Sequence, residues 1–416
     1  MKKRNVLQIG ILFEMIAFVI IVVVKNGIPF LHPEAAAVNG DGFIKWVDFK
    51  VSCEALERAY ELDLESYDTD TPLNWIELLA YAGAKGGGEF TKGSIETIEE
   101  VAEKIMQGES TMEELSGGMK YYPYYKEAYS AVLDGYRGNY EIEEKQEDGT
   151  VSCVKKYGLK AFSPLAKGFE YQDYDDFGVS RSYGFKREHL GHDMMGQIGT
   201  PVIAVESGVV EAIGWNQYGG WRIGIRSYDT KRYYYYAHLR QNYPYVKGLK
   251  EGSEVTAGDV IGYMGHTGYS TTENVNNIEI THLHFGVQLI FDESQKDGNG
   301  EIWIDVYPLV QFLHQNQSEV QKVEGSKEWK RVYQMREEKK NPQDVKNLEE
   351  TKSTVARIII VQQCFCFFRP HGGMKNLFSE VCSLTQSWVK DSFTNTKTLW
   401  CNLKKLINID VIDCLL

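Results

Sequence analysis

Six of the chain's 9 histidines fall between His189 and His284, although the chain has 416 residues. The stretch opens with Glu188-His189-Leu190-Gly191-His192-Asp193, passes through Tyr236-Ala237-His238-Leu239 and closes with Thr281-His282-Leu283-His284-Phe285. Imidazoles and a carboxylate at this density suit a metal centre with proton-transferring helpers. On a strand, His282 and His284 project to one side while Leu283 and Phe285 turn to the other, so two imidazoles share a pocket. His189 and Asp193, four residues apart, fall on one face whether the segment is extended or helical, whereas strand parity turns His192 away. Two histidines and one carboxylate with an open fourth position make a catalytic zinc pattern; a closed structural site takes four protein ligands, usually with cysteine. No cysteine lies between Cys153 and Cys364.

Other histidine-metal patterns fit less well. Glu188 precedes His189 instead of following it, so there is no His-Glu-x-x-His, and the His-x-His lacks both an aspartate two residues later and a nearby glutamate. Gly265-His266-Thr267-Gly268-Tyr269-Ser270 lacks the Gly-Lys-Ser/Thr ending of a phosphate loop, and its glycines read as a tight turn.

The elements that must carry these residues are short β-rich runs separated by Gly, Asn and Asp: 202–205, 209–213, 221–226, 232–238, 255–263 and 282–291. They predict an antiparallel all-β domain over 161–315, with no helical pattern between strands to suggest parallel units. Before it, Ala55-Leu56, Ala59-Tyr60 and Leu62 begin a series of helical spacings that predicts a small α-helical domain over 26–140. Glu89, after a glycine run, reads as a loop carboxylate sooner than as the lone acid of a glycan-cleaving, lysozyme-like domain, and Tyr121-Tyr122-Pro123-Tyr124-Tyr125 as packing aromatics. The charged, turn-rich residues 141–160 are expected to be a linker.

Residues 1–25 combine Met1-Lys2-Lys3-Arg4 with an apolar run from Val6 to Val24. This predicts a signal-anchor or transmembrane helix with the bulk of the chain outside the cell, or, alternatively, secretion after signal cleavage. Residues 316–416 read as a charged linker and a poorly ordered tail. The whole is an α+β multidomain chain. A net charge of -13 argues against nucleic acid as a partner; nothing identifies a protein partner for the helical domain.

The ordered set His189-x-x-x-Asp193, Gly199-Thr200-Pro201-Val202, Tyr236-Ala237-His238-Leu239, Gly258-Asp259-Val260-Ile261-Gly262, Gly265-His266-Thr267-Gly268-Tyr269-Ser270 and His282-Leu283-His284-Phe285 resembles the lysostaphin-type (LytM-like) zinc metallopeptidases over about Pro164 to Phe291. The resemblance implies one Zn2+ held by His189, Asp193 and His284, with His238 and His282 as the catalytic pair. It also implies hydrolysis of peptide bonds in bacterial peptidoglycan, whose peptides would be the partner. Tyr183, six residues before His189, matches a tyrosine that assists the oxyanion in some members. The alternative is a catalytically silent, membrane-tethered binding or assembly module of the same fold, for which degenerate ligands would be the mark. The polar insertion Thr271 to Thr281, and Ile280-Thr281 in place of the usual Gly-Pro, depart from the pattern. The insertion is expected to border the groove and tune substrate choice.

Overall fold

A computed structural model of the chain describes residues 43–182, 186–298 and 300–337. The expected membrane segment at 1–25 and the tail from 338 onward lie outside the described residues. Among those described, no helix is long and apolar enough to cross a membrane.

Five helices come first: α1 (Cys53–Ser66), α2 (Trp75–Gly86), α3 (Lys92–Met106), α4 (Met112–Ser116) and α5 (Tyr122–Leu133). Their ends follow local chemistry. The Ser52 side chain accepts a hydrogen bond from the Ala55 N–H to start α1, and Asn74 accepts from Ile76 and Glu77 to start α2. Gly87, at φ 66°, stops α2 in the left-handed conformation that costs glycine no steric clash. Ala55, Leu56, Ala59, Tyr60 and Leu62 make the buried stripe of α1.

Residues 141–160 are not a linker. Strands β1 (Arg137–Lys145) and β2 (Val151–Leu159) pair antiparallel along their whole length. The charges that suggested a linker alternate with Tyr140 and Ile142, which pack on a small apolar cluster around Phe162. The fully buried Asp63 ties this hairpin to the helices: Arg137 Nη1 lies 2.8 Å from its Oδ1, the Tyr157 hydroxyl donates to it at 2.9 Å and the Trp75 N–H at 2.9 Å.

The following strands are β3 (Ser180–Ser182), β4 (Lys186–Glu188), β5 (His192–Met195), β6 (Pro201–Ile203), β7 (Gly208–Asn216), β8 (Gly220–Ser227), β9 (Arg232–Ala237), β10 (Glu254–Val255), β11 (Val260–Tyr263), β12 (His282–Leu289) and β13 (Ile302–Ile304). The main sheet runs β10-β7-β8-β9-β12-β13, and β5 pairs with the first half of β12 on the same side as β13. Every pairing is antiparallel. Ile223, Ile225, Tyr234, Tyr236, Leu283, Phe285, Val287 and Leu289 turn to the buried face.

Helix α6 (Tyr307–Leu313) joins helices to sheet, because Phe312 meets the rings of Tyr60 and Trp75 at 5.7 and 5.8 Å. One apolar core therefore runs from Ile44 to Leu313. The stretch expected to be a charged linker after 315 contributes β14 (Val320–Lys322), β15 (Trp329–Arg331) and β16 (Met335–Glu337), the last pairing with β1. Its buried residues are few but decisive: Met335 enters the small cluster, and Arg331 Nη1 donates to the Ala257 carbonyl at 2.7 Å.

Candidate metal centre

The site is assembled on both edges of β12. Register places Asp193 of β5 directly opposite His284, with Ala237 of β9 opposite on the other side. Cross-strand neighbours have Cβ atoms about 4.5–5.5 Å apart, close enough for side chains to touch. His284 Nδ1 lies 2.9 Å from Asp193 Oδ1. His189 comes from the loop between β4 and β5, pinned by its N–H donating to the Val179 carbonyl at 3.0 Å and its carbonyl accepting from Gly178 at 2.8 Å. Its Nε2 reaches Asp193 Oδ1 at 3.1 Å and His284 Nδ1 at 3.0 Å. Gly191 permits this approach, since a Cβ there would stand 2.6 Å from the His284 ring and 2.9 Å from the Phe285 carbonyl.

Three donor atoms thus form a triangle, and His189, Asp193 and His284 are a group able to hold a metal ion. A proton can bridge only one pair of these atoms at a time, leaving lone pairs aimed at one another. Tetrahedral zinc, with bonds of about 2.0–2.2 Å, sets its ligand atoms about 3.3–3.5 Å apart, so the observed triangle is within a few tenths of an ångström of that spacing. The residues fit the ion. On the far side of His189, Nδ1 donates to the Asp176 main-chain carbonyl at 3.3 Å, with Asp176 Oδ1 at 3.0 Å, and this holds the proton outward and Nε2 inward. Arg181 Nη1 lies 2.7 Å from Asp193 Oδ2, and its Nη2 bonds Asp176 Oδ2.

His238 and His282 stand beside the triangle with ring centroids 4.8 Å apart. His238 follows β9 with φ 60°, a left-handed backbone that is strained for a histidine. It is held there by its N–H donating to the Gly219 carbonyl at 2.8 Å. Its Nδ1 meets the Thr267 carbonyl at 2.9 Å, and Thr267 Oγ1 donates to the Leu239 carbonyl at 2.6 Å. His282 Nδ1 meets the Ile280 carbonyl at 2.8 Å, and its Nε2 is 3.7 Å from Asp193 Oδ1. Each carbonyl accepts only from a protonated Nδ1, so both rings keep Nε2 for the site.

Burial raises the Asp193 carboxyl, but the close approach of the His189, His284 and His282 imidazoles outweighs it, and the group is held far below the usual carboxylate range. Burial pushes His238 well below the ordinary imidazole range, with His282 and His284 adding in the same direction. Burial also lowers His284, although Asp193 opposes it. Neutral imidazoles and an ionised carboxylate are the ligand states that bind a divalent ion.

Tyr183 lies outside the described residues. His192 bonds Asp173 at 2.9 Å and His266 bonds the Ile278 carbonyl at 2.6 Å, each away from the triangle. The sequence reading missed the orienting groups Asp176, Arg181 and Thr267, which share no spacing with the ligands. A cavity of about 560 Å³ opens over His189, His238 and His284. Tyr269 lines it, and the 271–281 insertion meets the site where the Ile280 carbonyl accepts from His282 Nδ1 at 2.8 Å and Asn277 donates to the Tyr269 carbonyl at 2.7 Å. Two of its other polar groups bond neighbouring loops: Asn274 accepts from Trp221 Nε1 at 2.9 Å and from the Asn242 N–H at 2.8 Å, and Asn276 donates to Gln241 at 3.1 Å.

Residues 187–297 match peptidase family M23. The chain is similar to the L-Ala--D-Glu endopeptidase of Bacillus subtilis, 38% identical over 151 residues that make up 36% of this chain and 43% of that protein. It is also similar to lysostaphin of Staphylococcus simulans, 37% identical over 135 residues covering 32% of this chain and 24% of that protein. The matched part therefore spans less than half the length of either relative. Among solved structures, the catalytic domain of Staphylococcus simulans lysostaphin is 32% identical, covering 34% of this chain and 92% of that chain, with a TM-score of 0.26.

Proposed function

We propose that this chain, which carries a peptidase family M23 domain over residues 187–297, is a zinc metalloendopeptidase that hydrolyses peptide bonds of bacterial peptidoglycan. The observation that carries the reading is the donor triangle of His189 Nε2, Asp193 Oδ1 and His284 Nδ1, closed to 2.9–3.1 Å while the second nitrogen of His189 is occupied by Asp176. The peptide substrate follows from the similarity to proteins named as endopeptidases.

In this reading His189, Asp193 and His284 hold the ion. Zinc, when bound, supplies a Lewis acid that lowers the pKa of water toward about 7. The chain supplies the rest. Asp193 stays ionised and so offsets part of the ion's charge. His238 and His282 present unprotonated Nε2 atoms that can accept a proton from the attacking water and return it to the leaving amine, with Thr267 and Ile280 fixing their tautomers. The same two rings, once protonated, face the oxyanion that forms on the cleaved carbonyl. A wall substrate requires export, and Val6 to Val24, as membrane anchor or as cleaved signal, would provide it.

The test is incubation of the protein with purified peptidoglycan, with chelator and after zinc is restored, identifying released peptides by mass. New peptide termini that appear with zinc and vanish with chelator are expected. Release of sugars instead of peptides, or of nothing at all from the zinc-loaded protein, would refute the reading and favour a silent module.

A further inference from the structure

The cavity over the triangle is lined by more fixed positive charge than the hydrolysis uses. Arg181 is taken by Asp193 and Asp176, and Lys296 by Glu211. Arg187 and Arg222 also line the cavity, and neither forms an ion pair among the described residues. Arg222 Nη1 and Arg187 Nε are shut off from solvent, yet have no hydrogen-bond partner there. Buried guanidinium N–H groups without an acceptor are rare and costly, and point to an acceptor that arrives with a ligand.

Their placement fits a substrate crossing the sheet. Register pairs Ile223 and Phe285 with Tyr236 on its two sides, so by alternation Arg222, Ala237 and His284 share the opposite face in one transverse row. Two strand spacings separate Arg222 from His284, about 10 Å of backbone distance, with only the methyl group of Ala237 between them. An extended peptide covers about 3.3–3.6 Å per residue, so this row reaches residues within about three of the bond being cut. Arg187 lies on the other rim, directly opposite Arg181 in the β3–β4 hairpin and stacked 4.9 Å from the Tyr269 ring centre.

We propose that Arg187 and Arg222 form a carboxylate-binding subsite next to the metal triangle, so that the preferred substrate is a peptide bearing a free carboxylate close to the scissile bond. The proposal deepens the endopeptidase reading and rests on it. A guanidinium offers a planar fork of N–H donors that matches a carboxylate. The cavity's own carboxylates, Glu188, Asp297 and Glu301, are exposed and form no ion pair with either arginine, and Glu301 accepts from Trp303 Nε1 at 2.7 Å, so they leave both guanidiniums available.

The test uses muropeptides released from purified peptidoglycan by a muramidase, in free-acid form and after carbodiimide amidation of their carboxylates. The full, zinc-loaded chain is assayed for kcat/KM and for equilibrium binding of each form. The acid form should be preferred by about tenfold or more, the worth of a charge-assisted hydrogen bond. Arg222→Gln and Arg187→Gln should each collapse that ratio toward one, while Arg222→Lys, which keeps the charge and the stem, should retain part of it. Equal handling of acid and amide by the unaltered protein would overturn the subsite and leave the endopeptidase standing. A preference untouched by both substitutions would overturn it as well. Acid-selective, Arg222-dependent binding without cleavage of either form would uphold the subsite and sink the hydrolase instead; neither binding preference nor cleavage would end both.

Discussion

Gly191→Ala is the smallest change that should open the metal centre. The added Cβ would stand 2.6 Å from both Cε1 and Nε2 of His284 and 2.9 Å from the Phe285 carbonyl oxygen. An ordinary contact needs about 3.5 Å, so the ring or the loop must give by about 0.9 Å. Metal sites tolerate about 0.2 Å in ligand distance. The carbonyl is fixed backbone of β12, and His284 is held by Asp193, so the movable part is the loop that carries His189. Losing the alignment of one ligand should weaken zinc by at least the 10- to 100-fold typical of disturbed supporting groups, about 1.4–2.7 kcal/mol. Competition with a chromogenic chelator measures this directly, and circular dichroism confirms that the sheet survives. An alanine variant with unaltered zinc affinity would show that the triangle is not the metal site.

His238→Gln should lower turnover by about 10²–10⁴ with zinc content unchanged, since the role proposed for the ring is to carry a proton and it lies outside the donor triangle; metal analysis beside a peptide-release assay checks both halves. Burial raises Asp229, but the Arg232 charge together with hydrogen bonds from Ser227, the Lys231 N–H and Arg232 outweighs it and lowers the carboxyl to about 2. A depressed folded value means stability present above the ordinary carboxyl range and lost as pH falls through about 2. Asp229→Asn should therefore remove about 2 kcal/mol at neutral pH and flatten the acid limb of urea titrations between about pH 4 and 2. Arg232→Met leaves Glu206 and Asp229 without their buried partner and the Ala131 carbonyl without its donor. It should cost about 3–5 kcal/mol, read from the denaturation midpoint.

The parts of this site that obey a local period were visible in the chain. His282 and His284 alternate with Leu283 and Phe285, and that two-residue repeat survives folding as a groove face and a core face. What no local period carries is pairing. That Asp193 meets His284 depends on β5 joining β12 across 91 residues, and only the resemblance chose His284 over His282 as the ligand. Asp176 and Thr267 both act through backbone carbonyls placed by distant turns, which residue type alone cannot flag. The hairpin at 137–159 was hidden because its exposed positions carry Glu and Lys, masking Tyr140 and Ile142 between them. The 271–281 insertion has the polarity of a groove loop, and its partners divide: Asn274 and Asn276 bond Trp221, Asn242 and Gln241, while Ile280 and Asn277 reach His282 and Tyr269.

The site divides into a stiff half and a compliant half, and Arg181 joins them. Asp193 and His284 face each other within a strand ladder, so their separation is set by main-chain hydrogen bonds on both sides. His189 has no ladder; its position comes from Val179, Gly178 and the Asp176 main-chain carbonyl. Arg181 bonds Asp193 with one nitrogen and Asp176 with the other, so a single guanidinium spans the ligand on the strand and the group that orients the ligand on the loop. It neutralises two carboxylates that would otherwise repel across the site, and it does so from β3, one strand before the loop whose position it fixes. In the proposed zinc site, metal affinity should therefore depend on the β3–β4 hairpin as much as on the sheet, even though the hairpin supplies no donor to the triangle.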